Sequence, residues 1–308
     1  MDQLAAMRSF LAVAEEGGFA SAARRLGLAT SSLTRQVDAL ETHLGTKLLN
    51  RSTRSVTLTD AGETYRHSAA HALDTLREAD GAVKEAGGAP SGLLRISLPV
   101  AFARVIVAPT LGAFAAANPE ITLEITASDS VVNLVDERLD VAIRLGPPGE
   151  GSLLIRRLAP HRRVLCAAPD LVQQSGGPER PEDLADLPCL GFTQVTTRTV
   201  WRFGKDDQTS EIEVHGPIRA TNSEILREAA LAGLGYLLMP TWLVGRDIGE
   251  GRLQRVLPDW QVVDGGGAIH AVTLPNRRGS RKVAAFVDHL RATIGDPPVW
   301  EHDIGHMP

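Results

Sequence analysis

FASAARRLGLATSSLTRQVDALETHL, residues 19–44, decides how the N-terminal part of this 308-residue chain folds. Ala20, Ala22, Ala23 and Leu26 give a first short helix an apolar face, with Arg24 and Arg25 turned outward. Gly27 stops that helix, because a residue without a Cβ reaches the left-handed conformation at little cost. Leu28 is then placed to fold back beneath the pair. Thr30 suits the N-cap of a second helix, in which Leu33, Val37, Leu40 and Leu44 recur at spacings of 4, 3 and 4, one apolar face. The other positions near its start, Ser31, Ser32, Thr34, Arg35 and Gln36, all form hydrogen bonds and none is acidic. This is the layout of a helix-turn-helix, residues 19–38, whose second helix enters the DNA major groove. Helix pairs of this size also occur in proteins that never meet DNA, so the flanking sequence has to decide.

Upstream, Leu4, Met7, Phe10, Leu11 and Ala14 have helical spacing and can cover the pair, with Gly17-Gly18 as the break. Downstream, GTKLLNRSTRSVTLTDAG (residues 45–62) changes texture. Leu48 and Leu49 pack, Asn50 to Arg54 form a basic loop, and Val56 to Thr59 favour an extended strand. The segment resembles a wing whose Arg51 and Arg54 meet phosphates or the minor groove, contacts that position a protein without specifying sequence. Its plainer alternative is a solvated basic hairpin. Between Phe19 and Leu58 six cations face two carboxylates, a local net charge of +4, whereas the whole chain carries −5. A basic patch on an acidic protein fits a small DNA-reading module on a larger body.

Thr59 and Asp60 offer N-caps for a long helix to about Ala86. Tyr65, Ala69, Ala72, Leu76, Ala79, Val83 and Ala86 alternate spacings of 4 and 3 along it, a heptad stripe. Roughly 27 helical residues would span about 40 Å. Small residues at most stripe positions favour close pairing of two helices, so residues 60–90 read as a dimerisation helix and hinge that present two reader heads to adjacent half-sites. Gly87-Gly88-Ala89-Pro90-Ser91-Gly92 is the clearest linker.

Beyond the linker, LLRISL (93–98), ITLEITA (121–127), VAIRL (141–145), RVLCAA (163–168), YLLMP (236–240) and IHAVTL (269–274) read as short strands. Helical stretches at 105–117, 131–138, 222–232 and 280–294 alternate with them. That order predicts an α/β architecture with substantially parallel sheets. The last residues, GDPPVWEHDIGHMP, read as frayed. At 43% hydrophobic and 22% charged residues the chain can build real cores and is not extensively disordered. No run approaches the ~20 consecutive apolar residues of a membrane span, and no basic region followed by an apolar one marks a secretory signal. A cytoplasmic protein without membrane contact is expected. Cys166 and Cys189 make neither a disulfide framework nor a metal cluster; they are buried and inert, or else an oxidant-sensing pair.

Motif, wing, heptad helix, Gly-rich linker and α/β body, in that order, resemble the LysR-type transcriptional regulators over nearly the whole chain. The most specific block is EEGGFASAARRLGLATSSLTRQVDALETHLGTKLLNRSTRSVTLTDAGE (15–63). LRISLPVAF (94–102), DVAIRLG (140–146), ALAGLGYLLMP (230–240) and VLPDW (256–260) add smaller matches. Thr30 and Thr34 stand where the family usually has serine, and Leu33 where valine or isoleucine is frequent.

The resemblance implies an α/β protein with an N-terminal all-α winged helix-turn-helix (1–59), a linker helix (60–90) and a regulatory domain (91–302). That domain would comprise two Rossmann-like subdomains similar to periplasmic binding proteins, residues 91–162 with 268–302 and residues 163–267. It further implies double-stranded operator DNA as a partner, read by Thr30, Ser31, Ser32, Thr34, Arg35, Gln36, Arg51 and Arg54, and self-association as a dimer through the linker helix and as a tetramer built from two dimers. A small-molecule effector would sit between the subdomains, where strand C-terminal ends form ligand crevices. Ser97, Pro99, Val100, Ala101, Phe102, Ser128, Arg144, Thr193 and Asn222 are the candidate contacts. Arg144 suits an effector carboxylate, or it ties a strand end to a carbonyl. No cofactor, metal or catalytic residue is expected, because no phosphate loop, nucleophile elbow or metal-ligand spacing occurs. The competing class is a solute-binding or enzymatic α/β protein with an accessory helical domain.

Overall fold

The computed structural model describes residues 1–51, 56–84, 89–147, 152–193, 199–206, 208–263, 267–302 and 304; the side chains of residues 67, 71, 74, 75 and 77–84 lie outside that description. The chain divides into two compact units, Met1–Gly88 and Ala89–Pro308.

In the first unit, α1 (Gln3–Glu16), α2 (Phe19–Leu26) and α3 (Thr30–Leu44) precede a hairpin of β1 (Leu49–Arg51) and β2 (Val56–Leu58), and α4 (Asp60–Lys84) follows. Ala6, Phe10, Val13, Ala22, Ala23, Leu33, Val37, Leu40 and Leu48 are buried together, each of the larger ones contributing about 1.5–3 kcal/mol on leaving water. Tyr65 closes this core edge-on against Phe10 at a centroid distance of 5.6 Å. Gly27 has φ +65°, which lets the chain reverse between α2 and α3.

Two side chains depart from the expected pattern. Leu26 and Leu28 are 37% and 38% exposed, because α2 is only two turns long and its core face is completed by Ala22 and Ala23 alone. Thr30 is not the cap of α3: Ala29 holds that position in extended backbone, and the Thr30 side chain is left exposed.

Thr59 does cap α4, its hydroxyl accepting from Gly62 N (2.9 Å) while donating to the Lys47 carbonyl (2.7 Å). Gly62 is required there, since a Cβ would lie 2.0 Å from the Leu48 carbonyl oxygen. On α4, Ala69 and Leu73 are buried and Leu76 is 40% exposed; Leu73 lies outside the heptad stripe, whose expected partner is a second copy of the helix. Ala86 lies outside the described residues, as do the side chains of Ala79 and Val83.

The second unit begins with β3 (Gly92–Leu98) and a helical run of α5 (Val100–Phe102), a π turn (Ala103–Val107), a 3-10 turn (Ala108–Thr110) and α6 (Leu111–Ala117). Next come β4 (Ile121–Ala127), β5 (Val141–Leu145), β6 (Leu154–Pro160), β7 (Arg163–Ala167), α7 (Pro169–Ser175), β8 (Cys189–Phe192), β9 (Thr199–Lys205) and β10 (Gln208–Val214). The chain continues through β11 (Arg219–Ala220), α8 (Ser223–Leu231), β12 (Tyr236–Pro240), α9 (Thr241–Gly249), β13 (Gln254–Arg255), β14 (Gln261–Val262), β15 (Ala268–Thr273) and α10 (Arg281–Ile294).

Two five-stranded sheets, ordered β4-β3-β5-β15-β6 and β11-β8-β12-β7-β13, form the centres of two lobes, and β10-β9-β14 makes a smaller antiparallel sheet. Both large sheets are mixed where substantially parallel ones were expected. The crossings explain this. β6 leaves the first lobe and β15 returns to it on the same side, so β15 runs against β5 and β6. β7 enters the second lobe from that side and runs against β12.

Two further expectations are corrected. Residues 131–138 are irregular, with turns at 134–138, instead of a helix, because Asn133 Oδ1 captures the Val135 N–H (2.9 Å), the local competition that keeps asparagine out of helices. Of the C-terminal segment, Trp300 and Ile304 are buried and Glu301 pairs with Arg162 at 2.9 Å, so this part is packed; residues 303 and 305–308 lie outside the described residues.

The run Val100–Ala117 is long and apolar enough by composition to cross a membrane. Here it buries Ala101, Phe102, Val107 and Phe114 against the lobe and leaves Gly112, Ala113 and residues 115–117 exposed beside the edge strand β4.

Candidate functional site

Each unit carries one candidate site. On α3 the exposed row is Thr30, Ser31 and Arg35, with Ser32 and Thr34 half-buried at its edges. Leu33, Val37 and Leu40 are fully buried on the opposite side and fix which residues face out. Arg35 Nε donates to the Ser31 carbonyl at 3.4 Å, and the Thr34 hydroxyl to the Thr30 carbonyl at 2.9 Å. Gln36 is turned inward: its Oε1 accepts from the buried Ser9 hydroxyl and ties α3 to α1.

The wing is attached by a buried acid. Glu41, with 2% of its side chain exposed, accepts the backbone N–H groups of Leu48 and Leu49 at 3.0 and 3.1 Å and pairs with Lys47 at 2.7 Å. Arg51 reaches both Asp38 (2.7 Å) and Glu41 (3.3 Å) and lies 4.8 Å over the Phe19 ring. Its guanidinium is therefore engaged inside the domain, tying the wing to α2 and α3, which the expectation of a free phosphate contact did not include. Burial pushes the Glu41 carboxyl up, but Lys47, the two N–H donors and Arg51 outweigh it and leave its pKa below the ordinary value. Arg54 lies outside the described residues.

Between the lobes of the second unit is a cleft of 520 Å³. The first lobe supplies Ser97, Pro99, Ala101, Ser128 and Arg144 from among the expected contacts, and also Asp129 and Ser130. The second supplies Phe192, Ser223, Met239 and Trp242, and His161 and Arg163 form the floor where the chain crosses. These residues sit at the C-terminal ends of β3, β4, β5, β8 and β12, as ligand crevices in open α/β sheets do.

Four expected contacts are placed otherwise. Phe102 is fully buried, edge-on to Trp242 at 5.3 Å. Val100 offers its backbone N–H to Asp129 Oδ1 at 3.0 Å. Asn222 uses its side chain to cap α8, accepting from Glu224 N and Ile225 N. Thr193 pairs through its backbone with Ala220, one residue beyond the lining.

The cleft presents two arginines, the Asp129 carboxylate and several hydroxyls beside an apolar wall. Arg144 reaches the Val132 carbonyl at 3.2 Å, so it does tie a loop, while its side chain still lines the cavity. Trp242 Nε1, which can only donate, reaches His161 Nδ1 at 3.3 Å. The imidazole proton therefore sits on Nε2. Burial, and then the nearby Arg163, push the His161 pKa down to about 4, so the ring is neutral at physiological pH. Arg104, on the π turn, ion-pairs with Glu224 on α8 and spans the two lobes.

Cys166 and Cys189 are buried, and burial pushes both thiols up to about 12, the setting of inert cysteines. No cluster of three or more metal-ligating residues occurs among the described residues.

Two family models match the chain: "LysR substrate binding domain" over residues 87–295 and "Bacterial regulatory helix-turn-helix protein, lysR family" over residues 4–63. The HTH-type transcriptional regulator PtxR of Pseudomonas aeruginosa is 35% identical over 94% of this chain and 92% of its own. DmlR of Escherichia coli K12 is 34% identical over 92% of both. The solved structure of CrgA, a LysR-type transcriptional regulator from Neisseria meningitidis, has a TM-score of 0.62 at 30% identity and covers 94% of this chain and 98% of its own.

Proposed function

Because the chain belongs to the LysR family of bacterial transcriptional regulators, we propose that its exposed α3 row reads operator DNA in the cytoplasm under control of a small organic anion held between the lobes. It is a DNA-binding transcriptional regulator modulated by a small-molecule effector. Thr30, Ser31 and Arg35 face the bases, with Ser32 and Thr34 at the rim, and Arg51 positions the wing that carries Arg54. Residues 1–59 form the reader, 60–90 the pairing helix, and 91–302 the regulatory part, divided at 162–163 and 267–268.

One observation carries the choice of effector class. Arg144 and Arg163 line the cleft together with the hydroxyls of Ser97, Ser128 and Ser223 and the apolar Phe192, Met239 and Trp242, and two guanidiniums outnumber the one lining carboxylate among the described residues, Asp129. That combination suits a carboxylate on an apolar body. The bound anion biases the lobes toward one arrangement only if it binds that arrangement more tightly. A thermal-shift screen of small aliphatic and aromatic carboxylates tests the assignment. At about 100-fold excess over its dissociation constant, a ligand adds about 2.7 kcal/mol, on the order of 5–10 °C for a unit of this size. Arg144→Ala, which also gives up the bond to the Val132 carbonyl, is expected to remove that shift as measured from its own, lower, ligand-free melting temperature. A shift that survives in Arg144→Ala rejects the carboxylate role of this residue.

The family acts as oligomers. Self-association here uses α4 and the exposed small-residue face of α6 beside β4, where Ile125 is 39% exposed. Ala113→Glu combined with Ile125→Glu is expected to halve the sedimenting mass; an unchanged mass removes this face from the interface.

A further inference from the structure

His161 stands where the chain crosses from the first lobe to the second, with 7% of its surface exposed. Its backbone N–H donates to the Gly267 carbonyl at 3.0 Å and so joins the outgoing chain to the returning one. Its ring is held separately, Nδ1 accepting the Trp242 indole N–H at 3.3 Å. Trp242 is 5% exposed and stands edge-on to Phe102 of the first lobe, so residues of both lobes brace the imidazole.

The residues before it bring the ring to the cleft. Along β6, Ala159 pairs with Ile269 and Arg157 with His270, which leaves Leu158 as an extra, unpaired residue. A bulge of this kind bends its strand and re-aims the side chains that follow. Pro160, with no N–H to give, ends the strand, and His161 is the first residue beyond it. His161 borders two cavities, the cleft and a second groove of 340 Å³. Gly267, the partner of its backbone, lines the groove, whereas Trp242, the partner of its ring, lines the cleft. The ring is therefore the part of His161 that faces the cleft.

The partner fixes the tautomer. An indole nitrogen only donates, so Nδ1 is the bare nitrogen and Nε2 carries the proton. Burial first, then the nearby Arg163, hold the ring neutral, and a second proton on Nδ1 would in any case point at the Trp242 N–H. Nε2–H meets no acceptor among the described residues, yet it is not sealed in the interior. A donor of fixed direction, on a side chain more than nine-tenths buried, is thus open to the cavity it lines. The hydroxyls of Ser97, Ser128 and Ser223 in the same cleft rotate to donate or to accept, whereas Nε2–H can only donate.

We propose that His161 is a specificity-determining residue of the cleft: its Nε2–H donates to a second oxygen of the effector, which is therefore a hydroxy- or oxo-carboxylate and not a plain acid. That role rests on the carboxylate reading of the cleft, in which Arg144 takes the charged group. An acid without the second oxygen leaves the buried donor unpaired, which costs about 5- to 150-fold in affinity. Sites built to bond an oxygen reject the analogue lacking it for this reason.

Calorimetric titration of the full-length protein tests this with two sets of probes. Butyrate is compared with 2-hydroxybutyrate, 3-hydroxybutyrate and 2-oxobutyrate, and benzoate with 2-hydroxybenzoate and 3-hydroxybenzoate. In at least one set an oxygenated member is expected to bind about ten-fold or more tightly than its plain acid. His161→Phe, or His161→Leu where the first does not fold, is expected to equalise the two, because only the ratio between paired probes reports the donor. If no acid of either set binds saturably, the carboxylate reading falls and the role of His161 falls with it. If acids bind but plain and oxygenated members do so alike, or if the preference survives the loss of the imidazole, the carboxylate reading stands and the role of His161 is overturned.

Discussion

Arg35→Ala is expected to lose specific operator binding while the protein keeps its fold and assembly. Arg35 is the longest donor on the exposed row of α3, and its neighbours on that row, Thr30 and Ser31, have short reach. Among the described residues its one hydrogen bond is the 3.4 Å contact to its own helix. An arginine aimed at a base edge contributes about 1–3 kcal/mol of discrimination, so affinity should fall roughly 5- to 150-fold per half-site. Two half-sites in a dimer compound the loss to abolition at ordinary concentrations. Binding selection on genomic fragments, followed by anisotropy on the recovered site, measures it. Affinity equal to the parent's would move the reading role off this helix.

Glu41→Ala is expected to be the most damaging single change in the first unit. The carboxylate satisfies two buried backbone N–H groups and two cations at once. Removing it strands the Leu48 and Leu49 donors, at about 1–3 kcal/mol each. The partner cations are not stranded in turn, since Lys47 is exposed and Arg51 keeps Asp38, so the two N–H donors set the size of the loss. Chemical denaturation should show a loss within that range, with operator binding lost as the wing detaches. A loss below about 1 kcal/mol, the ordinary worth of a surface pair, would show the cluster to be dispensable. The pH response has a definite sign. The folded pKa of Glu41 lies below that of an ordinary glutamate, so its contribution is complete above the ordinary value and disappears as pH falls through the lower, folded one.

The periodic parts of both units were legible in the sequence. The spacing of Leu33, Val37 and Leu40 marks the inner face of α3, and the runs ITLEITA, VAIRL and YLLMP coincide with β4, β5 and β12. What sequence concealed was pairing. Gln36 reads as an outward donor until Ser9 is seen beneath it. Arg51 reads as a phosphate contact until Asp38, Glu41 and Phe19 surround it. Both partners lie distant along the chain, where local pattern has no reach.

The cleft was half visible for a related reason. Its first wall follows directly from LRISLP, whereas His161, Arg163 and Trp242 come from the crossing and the second lobe. One signal was available. Pro99 and Pro240 each follow a strand and open a helix with nearly the same backbone, ψ 139° and 142°. Aligning SLPVAF with LMPTWL would have placed Trp242 opposite Ala101.

Trp242 has an optical consequence. The chain has four tryptophans, and Trp242 is the one that lines the cleft. Indole emission follows the polarity and quenching of its immediate surroundings, and the Trp242 ring is already coupled to a neutral imidazole through Nε1. Trp242→Phe removes the cleft's own fluorophore from a four-tryptophan signal, so occupancy of the cleft can be followed optically in unlabelled protein, as the emission change that this variant loses.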